Sequence, residues 1–569
     1  MTSPFLIIKV YLKMACLIKK KISGKIYYYS GTPKRINGKP KVLNLRYLGT
    51  AESIIKRLQN PPLAEPLEVD SLDFGATSAL WAQAKELDLI GLIDRVIPQN
   101  SNRKISVGTF LTVGAINRAI SPKSKDGIGP WMSKTVLPRL IGQKASAFDS
   151  QSFWDAMDLV KEEHILGIEE KIWGRVLNLY QVFTDILFYD TTNFATHIDS
   201  LTACEIPQRG KPKKGGREQR LVGFALAATK ILGLPFLHKV YEGNCHDAKL
   251  FPEAMSLLVE RYSKLSTKAR DLTVVFDKGN NSDHNIQSLE AYGSEKGIRV
   301  FCIGSLKPSH YPEFLRIPLE KFDEELGEYR VYRAEKKVFG QKRTVIVTFH
   351  QGLYERQLST LRGRIDKVRR EMEEKFAHEE SKERYRHRKK VLLRGYRKIL
   401  EEKRLKNLLR VKIKGKGNRR LSLEVDKRAF KKRERAFGKT IIFCDHNDWT
   451  SEEIIDAYHG KNVNEENFKF LKDRTYLHFD PLYHWTDQKI RVHALMCVLG
   501  LLLVKLLLYR AKKADLDMSL PVMLQELNDI EEIILLYPDN RLKKKIKKLS
   551  TVQGRLFELF GLRAYEDSS

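Results

Sequence analysis

The chain has 569 residues, and 42% of them are hydrophobic, which is enough for several packed domains and excludes a wholly disordered or fibrous protein. Its 101 Lys and Arg residues outnumber its 70 Asp and Glu residues, so the formal net charge is +31. This excess predicts a polyanionic partner, with nucleic acid as the first candidate and an anionic membrane surface as the second.

The cysteines and the longest apolar run indicate the compartment. The six cysteines lie far apart, with no CxxC pair and no Cys/His ligand spacing. This pattern argues against zinc fingers and a disulfide framework, and it favours a cytoplasmic protein. Residues 494–508 form the longest apolar run, but they include Lys505 and are few for a membrane span. We therefore predict a buried helix there and no membrane partner.

The first part of the chain contains two kinds of element. Residues 24–49 hold two β-rich runs around a basic turn with Asn37-Gly38, a dipeptide typical of hairpins. We predict a basic β-rich N-terminal module over residues 1–75. Over residues 76–176, apolar residues recur at helical spacing between short breaks, which predicts a helical module.

The remaining residues predict a mixed α/β domain in two parts. Apolar strand-like runs alternate with helical runs over residues 177–304, and the same pattern resumes over residues 441–510. The stretch 305–440 interrupts it with short β runs and a charged helical arm, and its last forty residues carry 16 Lys and Arg against 5 acidic residues. A solvated face and phosphate contact are equally compatible with that excess. Residues 511–569 are predicted to be a helical tail.

Two aspartates follow apolar strands. Asp190 comes directly after ILFY, and Asp277 comes directly after TVVF. A carboxylate this close to a core needs a partner that offsets its desolvation, and a divalent cation is one such partner. The alternative for each residue alone is an acid that caps a turn. If the two strands are neighbours, the pair favours a metal site, which then requires a third acid.

Glu465 is the best candidate for that third acid. It lies in a predicted helix in which four residues follow one another at spacings of 3, 4 and 7, and so share one stripe: Tyr458, Lys461, Glu465 and Lys472. This stripe offers an acid for metal, two cations for phosphates and an aromatic hydroxyl. Glu466 points about 100° away and is the weaker choice. A charged solvent face remains the alternative.

The same residues resemble a known family, the DDE transposases of bacterial insertion sequences, in the superfamily named after insertion sequence four. Its signature is Tyr, two residues, Arg, three residues, Glu, six residues and Lys. Here every spacing is kept from Tyr458 to Lys472, with Lys461 in place of the arginine. The surroundings are similar as well: FYDTTNF at Asp190, VVFDKGNNS at Asp277 and PLYHWTDQKIRVHALMCVLGLLL after the Glu helix.

The resemblance implies a fold and a reaction. The fold is a ribonuclease H-like mixed sheet with residues 305–440 as its β-containing insertion domain, and the helical module binds DNA ends. Asp190, Asp277 and Glu465 would be the catalytic residues and would hold two Mg²⁺ or Mn²⁺ ions. Tyr458, Lys461 and Lys472 would bind DNA. The substrate would be double-stranded DNA, at inverted-repeat ends and at a target, and joining two ends implies a homodimer or larger assembly.

Two further hypotheses remain. One is a catalytically inactive DNA-binding derivative, acting as a repressor or an architectural protein. The acidic triad argues against it, because DNA binding alone gives no reason to place three carboxylates opposite a polyanion. The other is a stand-alone metal-dependent nuclease. The flanking modules argue weakly against it, because they favour recognition of a defined DNA end.

Overall fold

A computed structural model describes residues 16–36, 38–59, 65–98, 103–199, 202–213, 215, 217–266, 271–381, 389–415, 419–479 and 484–567. Asn37 of the predicted hairpin turn lies outside these residues.

The strands are β1 (Cys16–Ile22), β2 (Lys25–Ile36), β3 (Lys39–Gly49), β4 (Glu68–Asp73), β5 (Ile186–Ala195), β6 (Gln208–Gly210), β7 (Gln219–Thr229), β8 (Pro235–Glu242), β9 (Asp271–Phe276), β10 (Arg299–Ser305), β11 (Glu324–Leu326), β12 (Tyr329–Val338), β13 (Gln341–His350), β14 (Leu409–Lys414), β15 (Arg420–Val425), β16 (Lys439–Cys444), β17 (Glu531–Leu536) and β18 (Leu542–Ile546). The helices are α1 (Ala51–Gln59), α2 (Gly75–Glu86), α3 (Leu89–Asp94), α4 (Val107–Ile120), α5 (Lys125–Met132), α6 (Leu137–Ile141), α7 (Ser150–Met157), α8 (Glu162–Tyr180), α9 (Asp247–Leu265), α10 (Asp283–Glu295), α11 (Pro312–Leu315), α12 (Gln351–Glu380), α13 (Lys389–Glu402), α14 (Lys427–Glu434), α15 (Ser451–Gly460), α16 (Asn462–Leu471), α17 (Asp487–Lys513), α18 (Leu520–Asn528) and α19 (Thr551–Leu559).

The chain divides into two compact units. The smaller comprises Met1–Ser71, Ile533–Lys545 and Asp567–Ser569. In it, β1, β2 and β3 form an antiparallel sheet, and Ile36 lies opposite Lys39 across the predicted hairpin. Residues 16–49 contain nine Lys or Arg and no Asp or Glu, so this sheet is strongly basic.

The larger unit, Leu72–Glu532 with Ile546–Glu566, contains a ten-stranded sheet. Its order is β11-β12-β13-β16-β10-β9-β5-β7-β6, with β8 also paired to β7. β9 runs parallel to β5 and β10, and the other pairs are antiparallel. The predicted mixed α/β class is confirmed.

One predicted boundary differs from the structure. Residues 324–350 were assigned to the insertion 305–440, but β11, β12 and β13 belong to the main sheet. The reason is the apolar run TVIVTF in β13, which is buried along its length and pairs with β16 from Thr344 opposite Cys444 to Phe349 opposite Lys439. The part that leaves the sheet is therefore residues 351–438.

The predicted buried helix is α17. It is long and apolar enough to cross a membrane, yet its apolar window is entirely buried inside the protein. It packs against α2, α4 and β8. The strong apolarity of this helix thus follows from its position at the centre of the core.

Residues 351–438 contain the predicted charged arm. Leu361, Ile365, Val368, Met372 and Phe376 of α12 recur at spacings of three and four and form one buried stripe. This stripe shares an apolar cluster with α13, β14 and their neighbours, separate from the main core. The arm therefore has a small core of its own.

The predicted helical tail, residues 511–569, is only partly helical. α18 and α19 flank two strands, β17 and β18, which form a sheet with β4 in the order β18-β17-β4. The β-branched pair in EEIILL favours a strand, and the lysines of LKKKI suit an exposed edge.

A buried charged cluster joins α8, β8 and α9 beneath the main sheet. Glu169 forms ion pairs with His238 at 2.6 Å and with Arg261 at 2.7 Å. Arg261 also donates a hydrogen bond of 2.8 Å to the carbonyl oxygen of Phe236. Burial alone would raise the pKa of Glu169, but the contacts with Arg261 and His238 outweigh it and the pKa is lowered. The carboxylate therefore stays ionised inside the core.

Candidate active site

Asp190 and Asp277 lie side by side at the carboxyl end of the stretch over which two parallel strands pair. β5 and β9 pair in parallel up to Tyr189 opposite Phe276, so the next residue on each strand is an aspartate. Neighbouring strands are about 4.8 Å apart, which brings the two carboxylates into one site. The expectation that these two strands are neighbours is confirmed.

The predicted Glu helix is two helical segments that meet at Lys461. α15 begins with a capping box in which Thr450 and Glu453 satisfy each other's backbone N–H groups. It ends at Gly460, where an added Cβ would lie 2.4 Å from the ring of Phe188 on β5. Glycine therefore allows the helix to approach the strand closely, and α16 follows directly.

Lys461 links this junction to the aspartates. Its Nζ lies 3.1 Å from Oδ1 of Asp277 and 2.8 Å from the hydroxyl of Tyr458. Burial alone would raise the pKa of Asp277, but the Lys461 ammonium and the backbone N–H of Lys278 outweigh it, so the pKa is lowered. Burial alone would lower the pKa of Lys461, but Tyr458 and Asp277 raise it above the usual value. The two groups hold each other charged.

The pKa of Asp190 is shifted in the opposite direction to that of Asp277. Burial raises its pKa from 3.8 to about 6, and the charge of Asp277 adds to the rise, while the backbone N–H of Thr191 and the charge of Lys213 oppose it. The Thr191 N–H donates to Oδ1 of Asp190 at 2.7 Å. Proximity to a second carboxylate and burial are the two features that a bound cation would offset.

Buried amides fix α16 to β5 and to the turn between β7 and β8. Nδ2 of Asn464 donates to the carbonyl oxygen of Phe188 at 2.7 Å, and Nδ2 of Asn467 donates to that of Gly233 at 2.8 Å. Beyond the end of α16, Nζ of Lys472 lies 2.5 Å from Oγ1 of Thr192. Lys461 and Lys472 therefore lie at the two ends of one helical stripe beside the aspartates.

Glu465 lies between those two lysines in the sequence and is exposed. No three Asp, Glu, His or Cys side chains among the described residues form a cluster able to hold a metal ion. The structure thus brings together Asp190, Asp277, Lys461 and Tyr458, and it places Lys472 at Thr192. Glu465 as the third ligand stays a prediction.

The aspartate pair suits a hard divalent cation. Two carboxylates at adjacent strand positions supply the oxygen ligands that Mg²⁺ and Mn²⁺ prefer. The Lys461 ammonium lies against Asp277 and shows that this site holds positive charge. The chemistry of these two side chains therefore fits a divalent ion, which Asp190 and Asp277 could hold between them.

Sequence reasoning missed a second layer of contacts. Lys213 reaches from the loop after β6 to Oγ1 of Thr191 at 2.5 Å and to Oδ2 of Asp247 at 2.8 Å. The hydroxyl of Ser305, at the end of β10, lies 3.5 Å from Oδ1 of Asp277. Only the basic character of that loop and the strand-end position of Ser305 could have indicated these contacts.

No protein-family model matches the chain, and a search of the curated proteins finds no match. A search of solved structures finds a piggyBac transposase in a synaptic complex with hairpin DNA. The two are 8% identical, 79% of each chain is covered, and the TM-score is 0.38. A likeness of this size defines neither the fold nor the function of the present chain.

Replacing Asp190 by asparagine should stabilise the metal-free protein at neutral pH. The folded state keeps a proton on Asp190 up to about pH 6, whereas the unfolded chain releases it near 3.8, so wild-type stability falls as pH rises between these values. The variant avoids this loss, which is at most roughly 3 kcal/mol.

Urea unfolding in EDTA tests this expectation. The difference in unfolding free energy between Asp190→Asn and wild type should be small at about pH 4 and should grow to its full value above about pH 6. A difference that stays constant over this range would contradict the prediction.

Proposed function

We propose that the protein is a metal-dependent DDE transposase that cleaves DNA at the ends of its element and joins those ends to target DNA. One observation carries the proposal: Asp190 and Asp277 are adjacent across paired strands, and Lys461 of the family signature contacts Asp277 at 3.1 Å. Residues from three distant parts of the sequence therefore meet in one place, which supports the composite site that the resemblance implies.

The strand order supports a ribonuclease H-like catalytic core. β5, β7 and β8 are three consecutive antiparallel strands, and β9 and β10 then add on the other side of β5 in parallel. The resulting order, β8-β7-β5-β9-β10, is the arrangement of strands in ribonuclease H-like sheets. The first aspartate then lies on the central strand and the second on its parallel neighbour.

The chain's own residues have distinct roles in this proposal. Asp190, Asp277 and Glu465 would hold two divalent ions, which supply Lewis-acid stabilisation of the attacking and leaving oxygens. Lys461 and Lys472 would offer positive charge to the phosphates that flank the cleaved bond. Tyr458, held by Lys461, would present its hydroxyl to the same backbone.

A single assay separates this function from its alternatives. Purified protein is incubated with Mg²⁺, labelled duplex DNA carrying the element ends and a target plasmid. Joined products support a transposase, whereas cleavage without joining supports a nuclease. A mobility shift with neither product supports a DNA-binding derivative and contradicts the proposal.

Glu465 and Glu466 provide a matched pair of variants. Glu466 forms an ion pair of 3.4 Å with Lys505, whose side chain is 1% exposed. Glu466→Gln should therefore lower the unfolding free energy by about 1 kcal/mol and leave cleavage nearly unchanged. Glu465→Gln, at an exposed position, should change stability by less than about 0.5 kcal/mol and reduce cleavage about 1,000-fold.

Cleavage rates and urea unfolding of both variants give the answer. Equal cleavage by Glu465→Gln and Glu466→Gln would exclude Glu465 as a ligand. Loss of stability in Glu465→Gln would instead indicate a structural role for that carboxylate.

A further inference from the structure

A basic groove lies between two segments that are distant in sequence. One wall is the segment 308–319, and the other is α14 with the residue that follows it, Arg435. Two adjoining cavities of about 750 and 520 Å³ make up the groove, and they share Leu315, Arg316, Lys431 and Arg435 in their linings. The groove is therefore continuous from one cavity to the next.

The groove is held open by fixed contacts. Nζ of Lys439, at the start of β16, donates to the carbonyl oxygens of Leu315 and Ile317 at 3.0 and 2.8 Å. On the other side, the hydroxyl of Tyr354 donates to Glu434 of α14 at 2.8 Å. Both walls are thus attached to the main sheet or to the helix that leaves it.

Five exposed cations line the groove, together with apolar side chains and the carboxylate of Glu434. The cations are Arg316, Arg428, Lys431, Lys432 and Arg435. Across the described residues, no ion pair or side-chain hydrogen bond is seen for these five cations. Glu434, which lines the groove with them, accepts a hydrogen bond from the hydroxyl of Tyr354. By contrast, Arg410 and Lys412 on the neighbouring β14 each have an acidic partner.

The groove and the aspartates lie at the same ends of the strands, where β9 and β10 end and β16 begins. The segment that forms its first wall leaves β10 just after Ser305, whose hydroxyl lies 3.5 Å from Asp277. β16 starts and β13 ends here, where Lys439 pairs with Phe349. At about 4.8 Å per strand, β16 and β13 are roughly 10 and 14 Å from β9. A few nucleotides of a DNA backbone span such a distance.

We propose that the basic groove binds the phosphate backbone of the DNA whose scissile bond lies at Asp190 and Asp277, a few nucleotides away from that bond. This inference rests on the proposed function and adds a second DNA contact to it. Five exposed cations against one carboxylate, Glu434, give the groove a positive excess that matches the negative charge of a nucleic acid backbone. A flat anionic membrane would reach only the rim, because the cations of α14 and Arg316 lie on opposite walls.

The test compares two triple variants that remove the same charge. The groove variant carries Arg316→Gln, Lys431→Gln and Arg435→Gln, which remove the positive charge from the lining that the two cavities share. Lys230→Gln, Lys336→Gln and Lys337→Gln serve as the control, because these exposed lysines belong to neither wall and lie outside the lining of the groove. Thermal unfolding first checks that both proteins are folded, and all substituted side chains are on the surface.

Binding of a fluorescein-labelled duplex carrying the element end is measured by anisotropy in EDTA over a range of KCl concentrations. The groove variant should bind at least about tenfold more weakly than the control, and the slope of log K against log salt should fall by roughly 2 to 3. Equal affinity and slope for the two variants would overturn the proposal. So would loss of binding to phosphatidylserine vesicles with unchanged DNA binding.

The result is independent of catalysis. If wild-type protein neither cleaves nor joins DNA but the groove variant still loses DNA affinity, the transposase proposal fails, and the groove is a DNA-binding site without a scissile bond beside it. If the protein cleaves and joins DNA while the groove and control variants bind it equally, the groove proposal alone fails.

Discussion

Asp190→Asn and Asp277→Asn are each expected to reduce DNA cleavage about 1,000-fold or more while DNA binding in EDTA changes little. Metal-assisted stabilisation of a phosphoryl transition state is worth several kcal/mol, and each 1.4 kcal/mol is a factor of ten in rate. An amide supplies one neutral oxygen where the carboxylate supplies a charged one. The measurement is single-turnover cleavage of labelled duplex DNA with saturating Mg²⁺.

Asp271→Asn is the matched control for these variants. Asp271 lies at the opposite end of β9 and forms an exposed ion pair of 2.6 Å with Arg299. Its loss should cost no more than about 1 kcal/mol of stability and should leave cleavage intact. Near-normal turnover in Asp190→Asn or Asp277→Asn would remove that residue from the catalytic set.

Glu169→Ala is expected to lower the unfolding free energy by about 3–5 kcal/mol, because it removes one member of a buried charged cluster and leaves the others uncompensated. The Glu169 side chain is 5% exposed, and those of Arg261 and His238 are 4% and 2% exposed. Equilibrium urea unfolding at neutral pH measures the effect.

Glu170→Ala, one residue further along α8, gives the comparison. Its carboxylate pairs with Lys264 at 3.1 Å, and both side chains are more than one-third exposed. We expect a loss below about 1 kcal/mol for this surface pair. Similar losses in the two variants would mean that burial does not decide the energetics of the Glu169 cluster.

The position of the aspartates was predictable, because an apolar run that ends in an acid is a local pattern. Because β5 and β9 pair with Tyr189 opposite Phe276, the two aspartates that follow these residues lie close together. The helix spacing likewise predicted that Lys461 and Lys472 share a stripe. The ion pair between Lys461 and Asp277 was not predictable, since it depends on how closely Gly460 lets the helix approach β5.

Other features depend on contacts between distant segments. The hairpin of β12 and β13 joins the main sheet by pairing with β16. This pairing was not predictable, because β16 lies about ninety residues later in the chain. The basic groove forms only when α14 faces the segment 308–319, and the charge excess of residues 401–440 gave no information on the opposite wall. Spacing and composition describe one element at a time, so such pairings require the folded structure.

The attachment of residues 351–438 has a consequence for how the protein can be taken apart. The backbone N–H of His350 donates to the carbonyl oxygen of Gly438 at 2.9 Å, so the two ends of the segment lie next to each other where β13 ends and β16 begins. Residues 351–438 could therefore be replaced by a short turn that joins β13 to β16 and leaves these strands in register. The shortened protein would keep Asp190 and Asp277 and lose α14, so that the proposed catalytic site could be studied without the basic groove.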